Sequence, residues 1–384
     1  MITTQTADNV LKSYYLDVVS DQLDKSANPL LAQIEKTTAD VWGKDVRKTV
    51  RYGVNGGVGA GTEEGKLPAA KGNNYAQFVT TLKNLYGTIE ISDKAIRSSA
   101  NSEGAFVNLL NDEMDGLVQS SSFNFGRMLF GDGTGKLATV LSNETGGDGF
   151  VCDSVKNLET GMIVEFYKSS GEFVKTGTVT DVDKTAKSFT IAEGAIASAT
   201  GYTVYLQGSK DNEITGLHAI FNADKLYGVD RTNSGWMKPV VKSAVGTITE
   251  SILQKTLDEV EEKSGGKINF IVCSWGVRRA LIEALSTFRA LEPMELAGGF
   301  RALSYNGIPI VADRFCPEGT MYLLNTEDFA LHQLCDWQWL EGEDGKILKQ
   351  VPGKPVYTAT LVKYAELMCY RPGGQAMLKG ITEK

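Results

Sequence analysis

The chain has 384 residues, 42% of them hydrophobic, enough for a large core divided over two or three domains. Its formal net charge of −8 argues against broad binding to nucleic-acid phosphate, which needs clustered Lys and Arg. The five cysteines (Cys152, Cys273, Cys316, Cys335, Cys369) form no CxxC pair, so neither a zinc site nor a disulfide framework is indicated, and a reducing compartment is the simplest reading.

Residues 1–10 are mostly polar and lack the apolar stretch of a signal peptide. No run of ~18 apolar residues occurs, so no membrane span is expected. Residues 8–24 place Leu11, Tyr14, Tyr15, Val18, Val19 and Leu23 on one helical face. Asn28-Pro29 breaks this helix, and a second short one is expected through Ile34. Such a pair packs on its own core or docks on another subunit as an arm.

Residues 44–53 and 75–91 read as strands. Between them, Val54 to Asn74 holds Gly56, Gly57, Gly59, Gly61, Gly65 and Gly72, too long for a tight hairpin and too glycine-rich for a core. The element reads as a two-stranded arm with a mobile tip, and a lone ribbon gains stability by lying on a neighbour. From Trp42 to Ile91 there are seven basic residues (Lys44, Arg47, Lys48, Arg51, Lys66, Lys71, Lys83) and four acidic ones (Asp45, Glu63, Glu64, Glu90), net +3.

From Ser102 to Phe130 the apolar residues Phe106, Leu109, Leu110, Met114, Leu117, Val118, Phe125, Met128 and Leu129 recur at helical spacing. Asn101 or Ser102 can cap the start, and Gly131-Asp132-Gly133 ends the helix. Gly116 and Gly126 each cost roughly 1 kcal/mol against alanine, so packing must hold this strut together. Glu103, Asp112, Glu113 and Asp115 against Arg127 make it net −3. A basic arm on a neighbour's acidic helix is one reading; two ordinary solvated faces is the other.

Residues 136–214 are rich in Gly, Ser and Thr and alternate in period two. Met162–Tyr167, Phe173–Val182, Lys187–Ala192 and Tyr202–Leu206 read as strands of a small inserted β-barrel. It lacks the aromatic-plus-basic stripe of single-strand binders. Residues 215–245 read as an irregular connection. An α/β pattern follows: Thr249 caps a helix through Lys263 that Gly265-Gly266 ends, Ile268–Cys273 is a buried strand, and Ser274 caps the next helix. Phe288 to Phe300 reads as a loop. Strands are expected at Pro309–Ala312, Met321–Asn325, Ala330–Leu334 and Tyr357–Tyr370, with the rest of the C-terminus a tail.

Few residues suggest chemistry. Gly131-Asp-Gly-Thr-Gly-Lys136 follows a helix and has Leu137 where a phosphate loop needs Ser or Thr, so it reads as a helix stop and turn. Gly56-Gly57-Val58-Gly59 has no dinucleotide context. The two histidines, His218 and His332, sit in no catalytic motif. Asp112-Glu113 and Glu261-Glu262 are adjacent on helices and point apart. Trp275, Trp337 and Trp339 suit core or interface packing. No enzyme, cofactor or metal is indicated; a hydrolase using a residue pair without a motif is the competing reading.

Taken in order, these elements resemble the major capsid proteins of tailed double-stranded-DNA bacteriophages, the Hong Kong 97-type fold. The resemblance is carried by "SEGAFVNLLNDEMDGLVQSSSFNFGRMLFGDGTG", "YNGIPIVADRF", "MYLLNTEDFALHQ" and "VYTATLVKYAELMCYRPGGQAML". It implies an α+β chain divided into an N-terminal helical arm (1–41), an extended loop (42–91), the spine helix of a peripheral domain (92–135), an inserted β-rich domain (136–214), an axial α/β domain with its connection (215–350) and a return to the peripheral domain (351–384). It further implies self-assembly into hexamers and pentamers that form an icosahedral shell around double-stranded DNA, contacted weakly on the inner face. The location would be the virion capsid, assembled in the host cytoplasm. Arg47, Lys48, Arg51, Lys66 and Lys71 of the loop and Asp112, Glu113 and Asp115 of the spine would form an assembly interface. Arg289, Glu292, Pro293 and Glu295 would lie near the capsomer centre. Some members cross-link a loop lysine to a neighbour's asparagine; Lys66 and Lys71 sit in that loop, where lysines are ordinarily solvated. The helical region begins near Asp8, so no fused scaffolding segment is expected. Scaffolding, portal and decoration proteins are candidate partners, the last, or a glycan, for the 136–214 insertion. The shell of a cellular nanocompartment shares this fold and is the nearest alternative.

Overall fold

Twenty-eight residues of amphipathic sequence form helix α1 (Glu103–Phe130). In this computed structural model residues 28–39, 41–42, 45–94, 103–143, 149–194, 196, 198–286, 292–295, 301–342, 345 and 347–384 are described. Along α1, Met114, Val118, Phe125, Met128 and Leu129 are buried, as their spacing predicts, and Leu117 is half-buried. The helix stops at Phe130; Asp132 Oδ1 then accepts from the Thr134 amide at 2.9 Å, and Gly133 and Gly135 take positive φ (84° and 80°). This is a turn closed by its own aspartate, not a phosphate cradle.

The sheet under α1 has five strands. Val356–Cys369, 14 residues long, is its centre. Phe329–Trp339, Lys83–Ser92 and the short Lys349–Gln350 lie antiparallel to it, and Glu35–Thr37 adds parallel to the outer side of Phe329–Trp339. A seven-stranded mixed sheet runs Val240–Lys242, Ala376–Lys379, Thr320–Leu324, Phe270–Cys273, Ile308–Ala312, Arg301–Tyr305 and Glu292–Glu295. Two further helices belong to this part of the chain. The first, Glu250–Ser264, is capped by the Thr249 side chain and ended by Gly265 at φ +62°. The second, Trp275–Ser286, buries Val277, Leu281 and Leu285.

Between α1 and the second sheet the chain closes a six-stranded barrel: Ser188–Ile191, Gly149–Cys152, Lys136–Asn143, Thr203–Leu206, Ile163–Tyr167 and Phe173–Asp183. Period-two alternation sends Phe150, Phe166 and Phe189 inward, where their rings pack with centroids 5.0–6.1 Å apart. The barrel has its own apolar core, separate from the two others.

Several expectations need correction. The run 75–91 is two strands, Asn74–Thr81 and Lys83–Ser92, parted at Leu82. The first completes the arm, and the second leaves it for the five-stranded sheet. The short helix through Ile34 is a single tight turn, Leu31–Gln33, before a strand. The loop at 288–300 contains the strand Glu292–Glu295, the irregular 215–245 contains a helix at Leu217–Asn222, and the tail contains the strand Ala376–Lys379. Trp337 and Trp339 are core residues, whereas Trp275 is 51% exposed. The helix read at 8–24 and the cap at Asn101 or Ser102 lie outside the described residues.

Candidate assembly surfaces

The projecting hairpin is built from alternation. Asp45–Tyr52 and Asn74–Thr81 pair over their full length, from Asp45 opposite Thr81 to Tyr52 opposite Asn74. Val46, Val50 and Phe78 turn inward, and Arg47, Thr49 and Arg51 turn out. The ribbon is anchored on one side: Tyr52 stacks on Trp236 at 4.6 Å, Phe78 lies 5.5 Å from Tyr227, and the Val79 amide donates to the Tyr227 carbonyl at 3.0 Å. The arm expected to be two-stranded has a third, short strand, Val41–Trp42, paired antiparallel to Asp45–Tyr52, so a ribbon that would be marginal alone gains both an extra strand and a packed face.

Residues 53–73 at its tip have no regular secondary structure. They expose Val54, Val58 and Leu67 at 84%, 87% and 90%. One exposed apolar residue is ordinary, but three in one glycine-rich loop make a surface suited to a partner. These three were missed by the sequence reading. The signal was apolar residues spaced among glycines with no strand or helix pattern to bury them.

The predicted charges divide. Arg51, Lys66 and Lys71 are exposed, as is Arg47, whose guanidinium lies 3.3 Å from Asp45. Lys48 differs: its ammonium lies 5.1 Å from the Tyr370 ring centroid, so it works partly within its own chain. Glu113 and Asp115 are exposed on α1, and Asp112 belongs to α1 with its side chain outside the described set. Among the described residues no ion pair joins Arg47 or Arg51 to Glu113 or Asp115. Glu292, Pro293 and Glu295 form the edge strand of the seven-stranded sheet, opposite Ser304, Leu303 and Arg301. Arg289 lies outside the described residues.

Buried charge sits elsewhere, where it ties elements together. The fully buried Lys363 ammonium bonds Asp336 and, at 3.1 Å, Gln333, with the Phe125 ring of α1 5.2 Å away. Lys36 of the outer strand reaches the other Asp336 oxygen at 3.0 Å. Burial alone would raise the Asp336 carboxyl, but Lys363 and then Lys36 outweigh it and hold it at about 2. Glu366 shows the opposite balance. Burial pushes its carboxyl up to about 7, against the pull of Thr215, whose amide donates to it at 2.6 Å, and of Lys83. Burial likewise raises Asp313 to about 6, although the Phe315 amide donates to it at 2.8 Å. Among the described residues no group of three or more His, Cys, Asp or Glu is placed to hold a metal, and no helix is long and apolar enough to cross a membrane.

No protein-family model matches the sequence, and no curated protein matches it. Solved structures do. The capsid asymmetric unit of cyanophage A-1(L) is similar over 93% of this chain and 94% of its own, at 12% identity and a TM-score of 0.57. The capsid of the native GTA particle (11% identity, 92% and 90% covered, TM-score 0.49) and the SrpI encapsulin of Synechococcus elongatus (11%, 95% and 95%, 0.46) fall below the level at which likeness carries the fold. The shared fold is mixed α+β, with few helices and many strands. At the level of the fold, then, the chain is similar to a bacteriophage capsid protein, the family its sequence resembles.

Proposed function

We propose that this chain is a non-enzymatic major capsid protein whose copies assemble, as hexamers and pentamers, into an icosahedral shell around double-stranded DNA. The observation that carries this reading is the hairpin tip. Val54, Val58 and Leu67 are exposed in the loop beyond a ribbon that is itself anchored at home along one face up to Tyr52. Such a projection is what a subunit needs to bury surface on the next copy around a ring. The fold shared with a cyanophage capsid over 93% of the chain agrees with it. In this reading the exposed Arg47, Arg51, Lys66 and Lys71 meet the acidic face of a neighbour's spine helix, and the strand holding Glu292, Pro293 and Glu295 lies towards the capsomer centre. The six subdivisions set out from the sequence are the proposed domains. A scaffolding, portal or decoration protein would join the shell in the host cytoplasm, and the virion is the final location.

The purified chain, followed by light scattering and electron microscopy, is expected to give capsomers, shells or tubes. A stable monomer at every concentration and salt tried overturns the proposal. Nuclease-protected DNA inside particles from infected cells separates a virion from a compartment that encloses protein.

A further inference from the structure

The chain holds two Asn-Gly pairs, Asn55-Gly56 and Asn306-Gly307. In such a pair the glycine nitrogen can approach the asparagine carboxamide, because no Cβ crowds it. The fold treats the two pairs differently. Asn306 and Gly307, at φ +52° and +78°, form the two-residue turn between Arg301–Tyr305 and Ile308–Ala312, closed by the pair Tyr305 and Ile308. The Asn306 amide is also tied to Gln254 at 3.1 Å. This backbone cannot rotate to bring Gly307 N onto the side chain without opening the hairpin.

Asn55 has no such restraint. It is exposed in the irregular tip, and among the described residues no hydrogen bond ties the Gly56 amide. Asn55 Oδ1 accepts from the Gly57 amide at 2.9 Å, and Nδ2 donates to Asn73 Oδ1 at 3.1 Å. The first bond is an Asx turn, which folds the carboxamide back beside the intervening Gly56 nitrogen. A donor on Oδ1 also stabilises an oxyanion forming there. Lys71 passes against Gly56: an added Cβ would stand 2.9 Å from its Cδ, and the ammonium lies two bonds further on. Positive charge at that point favours the anionic states of the attack.

We propose that Asn55 is a self-modification site, where the chain converts this asparagine to aspartate and isoaspartate through a five-membered imide. Gly56 N bonds to Asn55 Cγ and gives its proton to hydroxide. The Cγ–Nδ2 bond breaks, and Nδ2 takes a proton from water and leaves as ammonia. Water then opens the ring at either carbonyl, leaving the carboxylate on the side chain or on the main chain. One water is consumed and one ammonia released. The arm, 42–91, falls from net +3 to +2, with the new negative charge placed beside Lys71. The chemistry is independent of the shell reading; its consequence, that aged chains assemble less, rests on that reading.

The test holds the purified chain at 37 °C at pH 6 and pH 8.5, with samples digested by trypsin over several weeks. Mass spectrometry follows the peptides Tyr52–Lys66 and Ala302–Arg314, and electron-transfer fragmentation separates isoaspartate from aspartate. Conversion at Asn55 should be faster at the higher pH, should yield isoaspartate, and should outpace Asn306 by about tenfold or more. Gly56→Ala should slow it by a similar factor and leave Asn306 unchanged. Equal rates at the two pairs, conversion without isoaspartate, or none at Asn55 overturns the proposal. In light scattering, aged chain and Asn55→Asp should form fewer particles than fresh chain, while Asn55→Gln, which must close a larger ring, keeps assembling after ageing. Aged chain that assembles as well as fresh overturns the consequence. Fresh chain that forms no particles counts against the shell reading and leaves the peptide result standing.

Discussion

Arg127 of α1 meets Glu213 with both side chains buried, 3% and 2% exposed, and Nη1 lies 3.0 Å from Oε2 while Nη2 bonds Oε1. Glu213 belongs to the segment leaving the barrel after its last strand, Thr203–Leu206. The pair therefore pins the barrel's exit to the last turns of the long helix. Breaking a buried pair leaves an uncompensated charge and costs about 3–5 kcal/mol. Glu213→Leu and Arg127→Met should each lower stability by that order in urea unfolding at neutral pH. The double variant should lose much less than the sum. Additive losses would mean that the two charges do not act as a unit.

Two glycines in α1 should respond to alanine with opposite signs. Gly116 is exposed, and an added Cβ meets nothing within 4 Å. Gly116→Ala should stabilise by up to ~1 kcal/mol through helix propensity. At Gly126 the Cβ would stand 2.5 Å from the Phe315 ring and closer still to Asn28. Gly126→Ala should lose about 1–3 kcal/mol by overpacking, despite the same propensity gain. Thermal melts of the two variants beside the parent decide it.

That contrast also marks what was legible. Spacing alone disclosed α1, its glycine stop, the Thr249 cap and the barrel's alternation, because each is a local pattern. The two glycines look alike in sequence, since the contact at Gly126 comes from Asn28, far away in the chain. The break at Leu82 was hidden for a similar reason. The run 75–91 has unbroken strand propensity, and only its two different partners divide it. Glu292–Glu295 read as loop because of Pro293, yet proline is tolerated on an edge strand, and this one borders its sheet. Ala376–Lys379 is four residues whose pairing with Val240–Lys242 and Thr320–Leu324 no neighbouring residue announces. Of the proposed interface, the basic residues were readable from charge counts. The exposure of Val54, Val58 and Leu67 was not, because exposure depends on what fails to cover them.

Stability should fall as pH rises through Glu366. Its folded value is raised to about 7 from an ordinary 4.5, chiefly by burial. The protonated form is thus favoured in the folded state, and its contribution is complete below about 4.5 and lost as pH climbs to about 7. The full effect is on the order of 3 kcal/mol at most. Asp313, raised to about 6, adds a slope of the same sign, while Asp336, held at about 2, acts only in acid and in the opposite direction. Glu366→Gln keeps an oxygen for the Thr215 amide and cannot ionise. Urea midpoints from pH 4 to 8 should therefore decline less for this variant than for the parent. Parallel curves would place the titration elsewhere.

Reversing charge on the hairpin tests the assembly surface, provided the right residues are chosen. Lys48 lies over Tyr370 in its own chain, so Lys48→Glu also forfeits a local contact of ~0.5–1 kcal/mol. Arg47 and Arg51 face outward from the ribbon and make no such ring contact among the described residues. Arg47→Glu with Arg51→Glu should leave the unfolding midpoint within about 0.5 kcal/mol of the parent, as exposed substitutions usually do. It should nevertheless suppress particle formation in light scattering, most strongly at low salt, where a charged contact is least screened. Adding Glu113→Lys and Asp115→Lys on the helix should restore particles if basic ribbon and acidic spine meet between copies. Assembly unchanged by the double reversal would remove charge from the contact and leave Val54, Val58 and Leu67 to make it; triple replacement of these by serine would then be the variant that abolishes particles.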